Sequence, residues 1–137
     1  SYTRDWSART NVAVTLDIDV QLGRLPETIE LSIFRIVQEG LSNVRKHAQA
    51  SAVQVSLKSI SPRALMISIA DNGRGLARGF DLAALAADGH YGLLGVSERV
   101  ALLEGRLLVQ NQQRGGALLQ VEIPHPRVEA RVEGMLR

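Results

Sequence analysis

The chain has 137 residues, 45% of them hydrophobic and 4% aromatic, which is typical of one domain with one aliphatic core. Its formal net charge of +2 does not indicate a nucleic-acid partner, and the lack of cysteine excludes disulfides and cysteine-based zinc sites. No apolar run approaches the roughly 20 residues of a membrane-spanning helix. We expect residues 1–126 to form the domain, without nucleic-acid or membrane contact, and residues 127–137 to be a tail or linker.

The first half of the chain predicts a strand, a long helix and a hairpin. Apolar residues alternate over residues 12–18, which indicates a strand with one buried face. Over residues 29–48 they recur at helical spacing, which predicts one long helix with an apolar stripe. Alternation returns over residues 52–60 and 65–70, on either side of a Ser-Pro turn. These two segments are therefore predicted to form a hairpin.

The second half begins with a weakly patterned stretch, residues 75–92, which we expect to be a mobile surface segment with a short helix over residues 82–87. A second clear helix is predicted over residues 94–103, and two strands joined by a glycine turn over residues 107–111 and 118–123. The whole order favours an α+β fold. We expect a two-layer sandwich, with helices covering one face of a mixed, mostly antiparallel sheet of about five strands.

Polar residues line the predicted long helix beside its apolar stripe. Glu39, Asn43 and Lys46 are spaced four and three apart and therefore share one face. The amide oxygen of Asn43 suits Mg²⁺, and Glu39 could orient a metal-bound water or accept a proton. Lys46 and His47 could meet phosphate oxygens. An ordinary solvated face shows the same spacing, and the helix considered alone favours that simpler interpretation.

A second polar segment follows the predicted hairpin. Asp71 closes the strand, and Gly73 and Gly75 allow a sharp turn with close backbone approach. A carboxylate held there can accept a hydrogen bond from the exocyclic amine of adenine. Because Asp-Asn-Gly is also ordinary turn chemistry, a plain turn explains this segment equally well.

A third glycine-bearing segment, with Gly92, Leu93 and Gly95, leads into the helix predicted over residues 94–103. Backbone N–H groups at a helix start that glycines expose can bind the phosphates of a nucleotide. A loop-to-helix junction with glycines for packing is the alternative. The sequence contains neither a P-loop motif nor a GxGxxG fingerprint, so neither of those phosphate sites is supported.

Taken in order, the three segments resemble motifs of the GHKL ATPases, the family of gyrase, heat-shock chaperone, histidine kinase and MutL proteins. EGLSNVRKHA at residues 39–48 resembles the N box, and DNGRGL at residues 71–76 resembles the first glycine box. GHYGLLGVSERV at residues 89–100 resembles the second glycine box of sensor histidine kinases whose response regulators carry LuxR/NarL-type DNA-binding domains. The resemblance covers residues 25–124.

The resemblance implies the Bergerat fold and a role in phosphoryl transfer. The domain would bind ATP and Mg²⁺ and donate the γ-phosphoryl group to a histidine on a separate dimerisation domain, for relay to a response regulator. No helical hairpin with a phosphoacceptor histidine occurs in these 137 residues. We therefore expect a piece of a longer protein: a cytoplasmic catalytic domain, incomplete without its acceptor, in a protein that an inner-membrane anchor could hold.

The resemblance also implies a role for each motif position. Glu39 and Asn43 would be catalytic, and Asn43 would bind Mg²⁺. Asp71 would bind the adenine amine, and residues 76–91 would form a lid over the nucleotide, hinged at Gly92 and Gly95. The full set of implied nucleotide-binding residues is Asn43, Lys46, His47, Asp71, Gly73, Gly75, Leu76, Gly92, Leu93, Gly95 and Ala117.

One departure from the family pattern bears on function. Ala117 stands where such kinases commonly have a threonine that helps hold the adenine-binding aspartate, so reduced adenine affinity or a substituting water is expected. One alternative is a degenerate ATP-binding signalling module without transfer activity, which Ala117 favours and the intact Glu39 and Asn43 disfavour. Another is a GHKL anti-sigma-type serine kinase, which the Lys-His-Ala ending of the first motif fits less well.

Overall fold

The computed structural model describes residues 2–19, 25–77, 79–87, 89 and 91–124. Within these ranges the chain forms four α-helices, one π-helical turn and five strands. In chain order the elements are α1 (Tyr2–Thr10), β1 (Ala13–Ile18), α2 (Glu27–Asn43), the π-helical turn (Val44–Ala48), β2 (Ala52–Ser61), β3 (Ala64–Asp71), α3 (Leu82–Ala87), α4 (Tyr91–Leu102), β4 (Arg106–Asn111) and β5 (Ala117–Pro124).

The five strands form one sheet in the order β1-β2-β3-β5-β4. Strand β1 runs parallel to β2, and every other neighbouring pair is antiparallel. This arrangement confirms the predicted α+β fold, the mixed sheet and the β2–β3 hairpin. Because β5 lies between β3 and β4, the end of β3 at Asp71 meets the start of β5 at Ala117.

The core lies between the helices and one face of the sheet. Strand β3 shows why: its alternate residues Leu65, Ile67, Ile69 and Asp71 are buried, while those between are half-buried. A fully buried Leu or Ile side chain contributes about 1.5–3 kcal/mol relative to an exposed one, which favours this side of the sheet being covered. Within the described ranges, Asp71 is the only polar or charged residue that is buried.

The long helix was predicted correctly, except for the form of its last turn. It begins at Glu27, two residues earlier than predicted, and residues 44–48 form a π-helical turn instead of α-helix. The turn ends at Gln49, whose backbone is left-handed with φ of 53°. Single π-helical turns of this kind are frequent at functional sites.

Helix α4 begins three residues earlier than predicted. It starts at Tyr91, so Gly92 and Gly95 lie within its first turns, and the predicted helix start at residue 94 is wrong. Phosphate binding by this segment stays a prediction. The physical reason is that Leu93 is 3% exposed and packs in the same core as Val96. Burying both of them outweighs a helical glycine, which costs about 1 kcal/mol.

Strand β1 was predicted with one buried face, and that expectation is wrong for half of the strand. Leu16 is 47% exposed and Ile18 is 53% exposed, because β1 is an edge strand with only β2 beside it. Helix α1 was not predicted at all. Its Trp6 is buried in the core. The rings of Tyr2 and Phe34 pack edge to face, with their centroids 5.3 Å apart.

The short helix predicted over residues 82–87 is confirmed as α3. The mobility of the surrounding segment stays a prediction. The predicted tail, residues 127–137, lies outside the described residues. Within the described part of the chain, no helix has both the length and the apolarity that crossing a bilayer requires.

Candidate functional site

A cavity of about 440 Å³ opens where α2, the sheet and the start of α4 meet. Apolar side chains form most of its wall, and the buried carboxylate of Asp71 adds charge. Cavities of this size, with a mostly apolar lining and few polar groups, are typical binding sites for small molecules. The aliphatic lining residues are Val44, Ala48, Ile69, Leu76, Ala77, Leu93, Val109, Ala117, Leu118 and Leu119.

The cavity brings together most of the predicted site residues from all three motifs. Those that line it are Asn43, His47, Asp71, Gly75, Leu76, Leu93 and Ala117.

The other five predicted residues have no part in the lining. Glu39 and Gly92 lie together at its edge: a Cβ added to Gly92 would be 2.5 Å from Glu39 Oε2. Gly73 packs against the end of the π-helical turn. Lys46 and Gly95 are exposed, and neither residue lines this cavity.

Asp71 is held by two backbone donors that both bind the same carboxylate oxygen. The N–H of Gly73 donates to Oδ1 at 2.8 Å, and the N–H of Ala117 donates to it at 3.3 Å. Hydrogen bonds from N–H groups to a carboxylate are stronger than neutral ones and fix its orientation. Neither bond involves Oδ2, so the carboxylate is oriented with its other oxygen available to a ligand in the cavity.

The loop after Asp71 is docked on the C-terminal end of the long helix. The backbone N–H of Arg74 donates to the carbonyl of Ala48 at 2.7 Å, and Arg74 Nε donates to the carbonyl of His47 at 2.7 Å. Carbonyl groups at a helix end lack hydrogen-bond donors within the helix. Arg74 supplies the donors for two of these carbonyl groups. A Cβ on Gly73 would lie 2.0 Å from the carbonyl oxygen of Ala48, so only glycine allows this approach.

Asn43 is oriented by its own helix. Its Nδ2 donates to the carbonyl of Glu39 at 3.1 Å, so the amide oxygen is left for a cation. A Cβ on Gly92 would lie 3.4 Å from that Nδ2, which places the first turn of α4 directly against Glu39 and Asn43. One amide oxygen suits Mg²⁺ at a nucleotide site, because this ion is commonly held there by one or two protein ligands, phosphates and water.

Comparison with known proteins gives the family. Residues 28–127 match the family model described as "Histidine kinase-, DNA gyrase B-, and HSP90-like ATPase". The chain belongs to this ATPase family. Its match to the model covers both the long helix with Asn43 and the glycine loop after Asp71. Together with the histidine-kinase relatives described next, this match confirms the predicted resemblance to the ATP-binding domain of sensor histidine kinases.

Relatives of this ATPase domain are histidine kinases. "Signal transduction histidine-protein kinase/phosphatase DegS" of Brevibacillus brevis is 34% identical over 123 residues, which are 90% of this chain and 30% of DegS. The chain thus spans less than a third of that relative. The ATP-binding domain of PrrB from Mycobacterium tuberculosis superposes with a TM-score of 0.61 at 26% identity, covering 88% of this chain and 86% of that one.

A further solved structure shares the fold of the ATPase domain. The histidine kinase domain of the Erythrobacter litoralis EL346 blue-light activated histidine kinase superposes with a TM-score of 0.73 at 22% identity. The match covers 89% of this chain and 57% of that chain. The predicted α+β architecture is therefore that of solved histidine kinase domains.

Sequence analysis missed several residues that hold the site of this ATPase domain. Asn111, at the end of β4, binds both backbone groups of Leu76. Gln112 Nε2 donates to the carbonyl of Asp71 at 2.8 Å. Asn72 accepts bonds from the N–H groups of residues 51 and 52 through Oδ1. Arg74 and Asn72 lie inside a motif and could have been noticed, whereas nothing near Asn111 or Gln112 in the sequence points to the site.

Proposed function

We propose that this domain binds Mg-ATP and donates the γ-phosphoryl group to a histidine on the dimerisation domain of the same full-length protein, for relay to a response regulator. The observation that carries the proposal is the buried carboxylate of Asp71, oriented by two backbone donors in an apolar cavity. The DegS relative is named a histidine-protein kinase/phosphatase, which agrees with this reaction. We take residues 1–126 as the functional domain and assign it to the cytoplasm.

The cavity suits adenine because of one polar group in apolar surroundings. Asp71 Oδ2 would accept a hydrogen bond from the exocyclic amine of adenine, and guanine presents a carbonyl oxygen at that place instead. A carboxylate facing that carbonyl would leave two acceptors opposed and buried, which is costly. Ile69 and Leu93 supply apolar contact for a flat base. The site should therefore select adenine over guanine nucleotides.

The phosphate end of the site would lie at the edge where Glu39, Asn43 and Gly92 meet. Asn43 would hold Mg²⁺ through its amide oxygen, which its own Nδ2 bond to Glu39 leaves available. When bound, the ion neutralises phosphate charge. Glu39 would orient the acceptor imidazole or take its proton, and Lys46 and His47 would contact phosphate oxygens. The lid of residues 76–91 would close over the nucleotide and exclude water.

The proposal is tested by phosphoryl transfer in the full-length protein. With γ-labelled ATP, we expect label on the protein that is lost in acid and kept in alkali, as phosphohistidine is. Acid-stable label on serine of a partner protein would instead support the anti-sigma-type serine kinase. Nucleotide binding without transfer to either acceptor would support the degenerate signalling module, and no nucleotide binding would contradict all three.

A further inference from the structure

We propose that Asn111 is a positioning residue. It holds Leu76, the first residue of the lid, and so sets the affinity for the adenosine part of the nucleotide. The proposal rests on the proposed function, because it concerns the same cavity. Asn111 itself does not line that cavity. It acts through its hydrogen bonds to Leu76, a residue that does line the cavity, and it lies close to Gly75.

The side-chain amide of Asn111 binds both backbone groups of one residue. Its Oδ1 accepts a hydrogen bond from the N–H of Leu76 at 2.7 Å, and its Nδ2 donates to the carbonyl of Leu76 at 3.0 Å. This pair of bonds resembles the exchange between facing residues of antiparallel strands. It ties the loop that follows β3 to β4, a strand 35 residues further along the chain.

The close approach of Asn111 also explains a glycine of the site. A Cβ on Gly75 would lie 2.7 Å from Asn111 Oδ1, and the backbone of Gly75 has φ of +78°. We call the two hydrogen bonds between Asn111 and Leu76 the clamp. Both facts require glycine at position 75 while the clamp is formed. Gly75 therefore lines the cavity and also leaves the space that Asn111 needs.

The clamp continues a row of contacts across the end of the sheet. Asn111 pairs with Ala117 in the β4–β5 ladder, and Ala117 donates its N–H to Asp71. Asp71, the last residue of β3, and Leu76, five residues further on, are thus both fixed from the β4–β5 side. The part of the lid that moves should accordingly begin at Ala77 and not at Leu76.

Two substitutions of Asn111 test the clamp. Asn111→Asp keeps the shape and the acceptor for the Leu76 N–H, but it places a carboxylate oxygen against the Leu76 carbonyl, where two acceptors repel. Asn111→Ala removes both bonds. The matched control is Gln110→Ala, since Gln110 is the preceding residue of β4 and its side chain is exposed.

The experiment combines amide hydrogen exchange with ATP and ADP titrations of the 137-residue protein. We expect Asn111→Ala to lose protection of the Leu76 amide, and Asn111→Asp, which keeps an acceptor for that amide, to lose part of it. Both variants should bind ATP and ADP roughly tenfold more weakly, as the loss of one or two hydrogen bonds predicts. The ratio of ATP to ADP affinity should stay unchanged, because the clamp does not touch the phosphate end. Gln110→Ala should match the parent in both measurements.

Three results would overturn the proposal. Unchanged exchange at Leu76 in Asn111→Ala would show that the clamp does not hold the loop. Variants that lose protection yet bind ADP like the parent would show that the clamp has no effect on the nucleotide. A fall in ATP affinity alone would place the effect at the phosphates. A parent that binds neither nucleotide would instead contradict the proposed function itself, and this proposal with it.

Discussion

The backbone N–H of Ala117 donates a 3.3 Å hydrogen bond to Oδ1 of Asp71, the same oxygen that the N–H of Gly73 binds at 2.8 Å. The side chain of residue 117 takes no part in this bond. Asp71 therefore keeps its orientation although the threonine common in related kinases is absent. What alanine lacks, compared with threonine, is the hydroxyl donor and one methyl group in the cavity wall.

Restoring that hydroxyl should strengthen nucleotide binding moderately. We expect Ala117→Thr to lower the Kd for ATP by about 3- to 10-fold, because a typical hydrogen bond contributes about 0.5–1.5 kcal/mol net. Ala117→Val is the matched control, since it has the same branched shape without the hydroxyl. Isothermal titration calorimetry measures both. Equal affinities for the threonine and valine variants would show that the hydroxyl contributes nothing.

Replacing Asn43 should separate binding from transfer. In the full-length protein we expect Asn43→Ala to slow phosphoryl transfer roughly 100-fold or more, because it removes a group that acts on the charged phosphates. Binding of ADP measured without Mg²⁺ should change less than about threefold. Ser42→Ala, one position away and about 100° around the helix, is the control. Normal transfer by Asn43→Ala would remove Asn43 from the site.

Gly73 should tolerate no side chain. A Cβ there would lie 2.0 Å from the carbonyl oxygen and 2.7 Å from the carbonyl carbon of Ala48, and backbone cannot move aside as a flexible side chain can. We expect Gly73→Ala to lower the free energy of unfolding by about 1–3 kcal/mol, the usual cost of overpacking. Urea denaturation gives the value. An unchanged midpoint would mean that the loop is not docked on the helix end as described.

Gly95 should behave in the opposite way. It lies inside α4, and a Cβ there would have no neighbour within 4 Å. We expect Gly95→Ala to raise the free energy of unfolding by up to about 1 kcal/mol, through helix propensity alone, with ADP affinity unchanged. The same denaturation and titration experiments apply. A loss of ADP affinity would contradict this expectation and support the hinge that the family resemblance implies at Gly95.

The parts of the site that could be predicted are those that local patterns determine. Asp71 ends a strand whose alternation places it on the buried face, and Asn43 follows Glu39 at helical spacing, so both positions could be inferred from sequence. The position of Lys46 could not be predicted from an ideal α-helix, because Lys46 lies in a π-helical turn. Nothing in the sequence pattern indicates that turn.

The contacts that Asn111 and Gln112 make with distant segments could not be predicted from local patterns. Asn111 binds Leu76 in the loop after β3 from 35 residues away, and Gln112 binds Asp71 at the end of β3 from 41 residues away. The position of β5 between β3 and β4 brings both residues there. Helix α1 was missed for a similar reason. Its sequence is mostly polar, and burial of Trp6 in the core, not its own periodicity, secures it.

The central claim is that Asp71 binds the adenine of ATP, and a Mg-ATP thermal-shift titration of the parent beside Asp71→Asn tests it most directly. Asparagine keeps an oxygen for the bonds from Gly73 and Ala117, so the variant should fold. Its NH₂ group then stands in place of Oδ2, and a donor cannot accept a hydrogen bond from the adenine amine. At ATP concentrations 100-fold above Kd the parent should gain about 2.7 kcal/mol of stability, which raises Tm by several degrees. We expect that rise in the parent and none in Asp71→Asn. An equal rise in both proteins, or none in the parent, would contradict the assignment.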